Sequence, residues 1–160
     1  MTVVSTHKDV QALTLTFVAE FNAGVERVWQ IWQDPRQLER WWGPPTWPAS
    51  FTRHDFVIGG QCRYYMTGPE GAKAHGWWTI TAIEAPHRLE FDDGFSGDDG
   101  EPLVSMDPTH TIVTIEAADA GARMTIVTTF ANTEQLEQML AMGVEEGMRL
   151  ALGQIDGLLA

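Results

Sequence analysis

The chain has 160 residues, 44% of them apolar and 20% charged, which suits one folded domain with its own core and excludes a disordered protein. Its formal net charge of −12 argues against a phosphate-backbone or anionic-bilayer partner, because such partners are held by clustered Lys and Arg. Nucleic acid and membrane are therefore not expected partners.

Apolar runs are only a few residues long, too short to cross a hydrocarbon layer. The first ten residues, MTVVSTHKDV, lack the basic and apolar regions of a secretion signal, so a cytoplasmic protein is expected. The single cysteine, Cys62, fits a reducing compartment and reads as a buried structural thiol.

Residues 1–12 read as a loose leading segment of a single domain spanning 1–160. Leu13, Leu15, Phe17, Ala19 and Phe21 then alternate with other residues, as in a half-buried strand. After Asn22-Ala23-Gly24, the residues Val25, Val28, Trp29 and Trp32 recur at helical spacing as far as Asp34-Pro35. Proline ends that helix, because it drives the preceding residue out of the α region. A second short helix is expected over 36–42, stopped by Gly43-Pro44-Pro45.

From Ala49 onward, strand patterns are joined by turn residues. FTRHDFVI leads to Gly59-Gly60, QCRYYM to Gly68-Pro69-Glu70-Gly71, and AHGWWTITAIEA to Pro86. HRLEF runs into an acidic loop, DDGFSGDDGEP, and the loop around 98–108 is expected to fold back as a flap. HTIVTIEA pairs with ARMTIVTTF across 118–121. The last segment, from Thr133, carries Met139, Met142, Val144, Met148, Ala151, Leu152, Ile155 and Leu159 at three- and four-residue intervals, the stripe of a helix that must bury one side. Gly143, Gly147 and Gly153 interrupt it, each costing about 1 kcal/mol against alanine, which points to bends or close backbone approach. Strand, two small helices, about six strands and a long helix make an α+β domain with its helices on one side of an antiparallel sheet.

Five stretches in order carry a resemblance: FNAGVERVWQIWQDPRQLERWWGP at 21–44, IGGQCRYYMTGPEG at 58–71, AIEAPHRLEFDDGF at 82–95, RMTIVTTF at 123–130 and MGVEEGMRLALGQIDGLLA at 142–160. They resemble the START-like helix-grip (SRPBCC) superfamily, and within it the bacterial homologues of the heat-shock-protein-90 ATPase activator. The resemblance implies a curved antiparallel sheet gripping the C-terminal helix, with a hydrophobic cavity between them. A shared fold says little about any one activity.

Seven tryptophans could hold a core together or line a cavity for a flat apolar molecule. Trp29 and Trp32 read as helix-stripe core. Trp77 and Trp78 are strand neighbours and must point to opposite faces. Trp41, Trp42 and Trp47 flank Gly-Pro-Pro, a corner suited to a ligand entrance, a dimer contact or plain packing. The five histidines show no metal-ligand spacing. The carboxylates Asp92, Asp93, Asp98, Asp99, Glu101, Glu145 and Glu146 read as solvated charge. Nucleophile elbow, phosphate loop and dinucleotide fingerprint are all absent from the sequence, and no cofactor or metal is expected.

Together these readings point to a binding protein for an apolar or aromatic small molecule. Its expected lining is Trp41, Trp42, Tyr64, Met66, Trp77, Phe91, Phe95, Met142 and Met148, with no catalytic residue assigned. Two alternatives use other features. A cyclase- or hydrolase-like enzyme would bring His54 or His75 together with Arg63 or Glu146 inside the cavity. A chaperone- or self-interaction module, including a homodimer, would expose Trp41, Trp47 or Trp78.

Overall fold

The computed structural model describes residues 3–103 and 105–159. Eight strands form one open antiparallel sheet: β1 Val3–Asp9, β2 Thr14–Phe21, β3 Ala49–His54, β4 Gln61–Thr67, β5 Lys73–Glu84, β6 Arg88–Phe95, β7 Thr109–Ala118 and β8 Gly121–Thr129. Their order across the sheet is β1-β2-β8-β7-β6-β5-β4-β3. The helices are α1 Val25–Gln33, α2 Pro35–Leu38, α3 Thr133–Ala141, α4 Val144–Gly153 and α5 Ile155–Leu159. This is the helix-grip architecture, with an additional edge strand. The leading segment expected to be loose is β1, which pairs antiparallel with β2 from Val3 to Asp9.

Local chemistry sets the helix boundaries. The Asp34 carboxylate accepts from the Arg36 backbone N–H at 2.9 Å and caps α2, whose first residue, Pro35, has no N–H to leave unpaired. Asn132 caps α3 by accepting from Gln135 N–H at 2.8 Å, and the Gln135 side chain reaches back to accept from Ala131 N–H at 2.7 Å. The C-terminal segment is three helices rather than one. It breaks at Gly143, whose φ of +85° is left-handed and open to glycine without steric cost. A Cβ built at Gly147 or Gly153 would meet nothing within 4 Å, so close backbone approach is not what these two glycines provide.

One face of the sheet is buried. Leu15, Phe17, Ala19 and Phe21 of β2 lie opposite Thr128, Ile126, Met124 and Ala122 of β8, and Leu89 and Phe91 of β6 lie opposite Val113 and Thr111 of β7. Leu136, Leu152, Ile155 and Leu158 from the last three helices join this core, as do Val28, Ile31 and Trp32 of α1. Irregularities between Phe51 and Arg53 and between Ile80 and Ala82 shift the alternation, as an extra residue in one strand does. The β3 strand ends at His54, short of the expected Ile58, so Val57 and Ile58 lie in the following turn and are exposed. Among the described residues no helix is long and apolar enough to cross a membrane.

Candidate functional site

Over β4, β5 and β6 the inner face becomes aromatic. Trp32 meets Trp41 edge-on at 4.8 Å between ring centroids and lies 6.0 Å from Trp78. Trp42 stands edge-on to Trp78 at 4.9 Å, Trp78 stacks on Phe91 at 4.2 Å, and Phe51 stacks on Tyr64 at 4.9 Å.

Each buried indole brings an N–H that needs an acceptor. Trp32 donates to the Met124 sulfur at 3.2 Å and Trp41 to the Ile31 carbonyl at 3.1 Å. The N–H groups of Trp42 and Trp78 have no acceptor. Two unpaired donors in one ring cluster are uncommon, since each costs about 1–3 kcal/mol in a closed interior.

Polar oxygen chemistry lies on the same face. The β6 strand runs on to Phe95 through residues expected to form an acidic loop, so Leu89, Phe91, Asp93 and Phe95 share one side. Asp93 sits opposite Trp78 on β5 and Thr109 on β7, and the Thr109 hydroxyl donates to its carboxylate. Burial pushes the Asp93 carboxyl up to about 7, with the Thr109 hydrogen bond opposing and the neighbouring Asp92 assisting. The next inward pair along that ladder is Gly76 and Phe95. Tyr64 lies over Gly76 so closely that a Cβ there would come within 2.4 Å of the phenolic oxygen. Burial, then the Asp93 charge, raises the Tyr64 phenol well above its ordinary range; the Trp42 N–H lies toward that oxygen and offsets part of the rise without completing a hydrogen bond. Thr111 and Thr128 extend the polar strip, their hydroxyls 3.1 Å apart.

The family model described as Activator of Hsp90 ATPase homolog 1-like protein matches residues 22–160. The chain belongs to that family. Among solved structures, a protein from Arthrobacter aurescens is 58% identical with a TM-score of 0.94, over 99% of this chain and 92% of that one. A protein from Mycobacterium smegmatis is 47% identical with a TM-score of 0.92, over 99% and 97%. The AHSA1 protein from Silicibacter pomeroyi, at 22% identity, TM-score 0.73, and coverage of 91% and 96%, shares the fold. No curated protein matches the chain.

The residues expected to line a cavity are placed unevenly. Trp42, Tyr64 and Phe91 join the ring cluster, and Phe95 follows Asp93 on the inward face. Met66 packs beside Gly43, its sulfur 3.3 Å from where a Cβ would stand, and Met148 is half-buried against the core. Trp41 is fully enclosed and hydrogen-bonded.

Two assignments need correction. Trp77 lies on the outer face, its indole packed over Gly94, because Trp78 takes the inward position in the β5 alternation. Met142 is 61% exposed, because α3 stops there and the stripe loses its phase at Gly143.

The side-chain pairs considered for catalysis are not assembled. His54 donates Nε2–H to the Trp32 carbonyl at 3.1 Å, which leaves Nδ1 as acceptor for the Cys62 thiol at 3.4 Å. Burial lowers the pKa of His54 and pushes the Cys62 thiol up to about 12, so the pair is neutral and unreactive near pH 7. Arg63 bonds Gln61 and the Cys62 carbonyl, His75 lies 3.6 Å from Asp98, and Glu146 pairs with Arg149. Trp41 and Trp78, two of the three tryptophans considered for docking, are fully buried. The expected flap is tied down by Gln135, which donates to the Asp107 carbonyl at 2.6 Å; Val104 lies outside the described residues.

Asp93, Thr109, Thr111 and Thr128 were not expected at the site. The alternation from Leu89 to Phe95 was the available signal, obscured by Asp-Asp-Gly, a typical turn sequence.

Proposed function

We propose that this protein binds a flat apolar or aromatic small molecule between the β4–β6 part of the sheet and the helices that cover it. The observation that carries the reading is the pair of buried indole N–H groups, on Trp42 and Trp78, left without acceptors inside a ring cluster. An interior serving only stability would pair or replace them, as it does for Trp32 and Trp41. Aromatic walls with a few fixed polar groups are the usual make-up of a small-molecule pocket. Membership of a helix-grip family fits the same reading.

A thermal-shift screen with planar aromatic compounds, read alongside quenching of tryptophan fluorescence, tests it. Ligands at about a hundred times their Kd stabilise a binding protein by roughly 2.7 kcal/mol, a clear rise in Tm. The reading fails if no aromatic compound raises Tm or quenches fluorescence.

A further inference from the structure

We infer that the outer face of the sheet, over β4–β6, carries a second binding site, separate from the inner one, for a planar aromatic ring bearing one phosphate, as in a nucleoside monophosphate.

Two strands build the platform. Arg63 of β4 lies opposite Trp77 of β5, and Tyr65 lies opposite His75; because Trp77 faces outward, all four share that face. The Trp77 indole lies over Gly94, its Nε1, Cε2 and Cζ2 atoms 2.9, 3.1 and 3.2 Å from where a Cβ would stand. Such similar distances set the ring flat on the sheet. The side chain is only half-buried, and among the described residues no other ring packs on it, so its second face is open to a ligand. Beyond His75, Ser96 donates its backbone N–H to the His75 carbonyl at 3.0 Å. Its own hydroxyl is buried without a partner, a group that calls for an explanation.

Two cations flank the rings. Arg63 spends Nη1 on the Gln61 side-chain oxygen and the Cys62 carbonyl, which leaves Nε and Nη2 without an acceptor among the described residues. Lys73 leans back over the Tyr65 ring, its Nζ 4.5 Å from the centroid. Neither has a carboxylate partner among the described residues, whereas Arg53, opposite Arg63 on β3, is held by Asp55 at 2.7 Å. The nearby acids are engaged or solvated: Asp92 binds His110 at 2.7 Å, and Asp98, 3.6 Å from His75, is fully exposed.

A flat ring joined to an anion uses all of these features. Guanidinium N–H groups match phosphate oxygens, and an aromatic base stacks on an indole face. Charge sets the size of the ligand. A phosphate monoester brings close to two negative charges for the two free cations, but each further phosphate of a nucleic-acid strand adds repulsion from a chain of net charge −12.

Adenosine monophosphate tests the site at about pH 7.5, against adenosine, inorganic phosphate and a short oligoadenylate, in NMR titrations that follow the Trp77 indole N–H and the backbone amides. Its charge keeps it out of the apolar interior. The expected result is a shift of the Trp77 and Arg63 signals, with the monophosphate bound at least about tenfold more tightly than adenosine or phosphate, since one stacked ring and one charge-assisted hydrogen bond are each worth about that factor. Trp77→Ala should lower its affinity to that of inorganic phosphate, and Arg63→Gln to that of adenosine. Arg123→Gln, on β8 and paired with Glu20, should change neither. Binding no tighter than that of adenosine or phosphate, unmoved Trp77 signals, or tighter binding of the oligoadenylate per nucleotide overturns the site. The wild-type comparison decides the matter even if a variant folds poorly, and every outcome leaves the inner-face proposal to its own screen.

Discussion

The two halves of the sheet's inner face are built to different rules. Over β2 and β8 the inward residues from Phe17 opposite Ile126 to Phe21 opposite Ala122 are apolar, with Thr128 opposite Leu15 the polar end of the row, and the nearest indole N–H, on Trp32, is used by Met124. Over β4–β6 an acid, a phenol and two unpaired indoles share the interior. The first half gains stability from burial alone. The second forgoes some of it, because polar groups buried without partners oppose that gain.

Substitutions can break or sharpen this contrast. The largest effect belongs to Trp32→Ala, which empties the centre of the ring cluster and should cost about 3–5 kcal/mol in urea unfolding.

Next is Asp93→Asn, measured against pH. The wild-type carboxyl titrates near 7 when folded against 3.8 ordinarily, so between those values the native state holds a proton that the unfolded chain releases. Stability from this group is therefore full below about pH 4, declines as pH rises to about 7, and is flat above. The variant removes that decline and should be the more stable protein at pH 8, by at most about 4 kcal/mol, taking roughly 1.4 kcal/mol per pH unit. The groups nearest Asp93 are Tyr64, Thr109, Asp92 and His110. Burial lowers the pKa of His110, but hydrogen bonds to Asp92 and Glu90 outweigh that and hold it above 6.5. Its contribution also fades as pH rises, so the wild-type-minus-variant difference, rather than either curve, isolates Asp93. A variant equally destabilised at pH 5 and pH 8 would mean that the acid is already charged in the folded protein.

Gly76→Ala should cost about 1–3 kcal/mol, because the new Cβ would stand 2.3 Å from the Tyr64 ring. It should also displace the phenol. A smaller difference separates Trp41→Phe from Trp78→Phe. Both shrink a buried ring, but only the first loses a hydrogen bond, so Trp41→Phe should be worse by about 1 kcal/mol. Equal losses would mean that Trp78 has an acceptor after all. Met142→Gln, on an exposed side chain, should change stability by under about 0.5 kcal/mol.

Much of the site was readable where a regular pattern met no obstacle. The strand alternation from Leu13 to Phe21 and the Val28, Trp29, Trp32 stripe gave the correct buried faces, because one period governs each. Trp77 and Trp78 showed the limit: the sequence required opposite faces but not which was inward, a choice set by register with β6. Met142 was misplaced because a single left-handed glycine reset the helical phase. Asp93 was missed because turn-forming residues can continue a strand when both neighbours pair with it.

By itself the sequence determined the α+β class, the helix-grip resemblance, the first helix with its proline stop and the meander from β4 to β8, since local periodicity and turn chemistry act within a few residues. Tertiary structure alone decided that Val3–Asp9 supplies an edge strand, that an acid and a phenol face the same interior, and that two indole N–H groups there go unpaired. Those outcomes depend on which strands lie side by side and in what register, and no single segment of the chain contains that information.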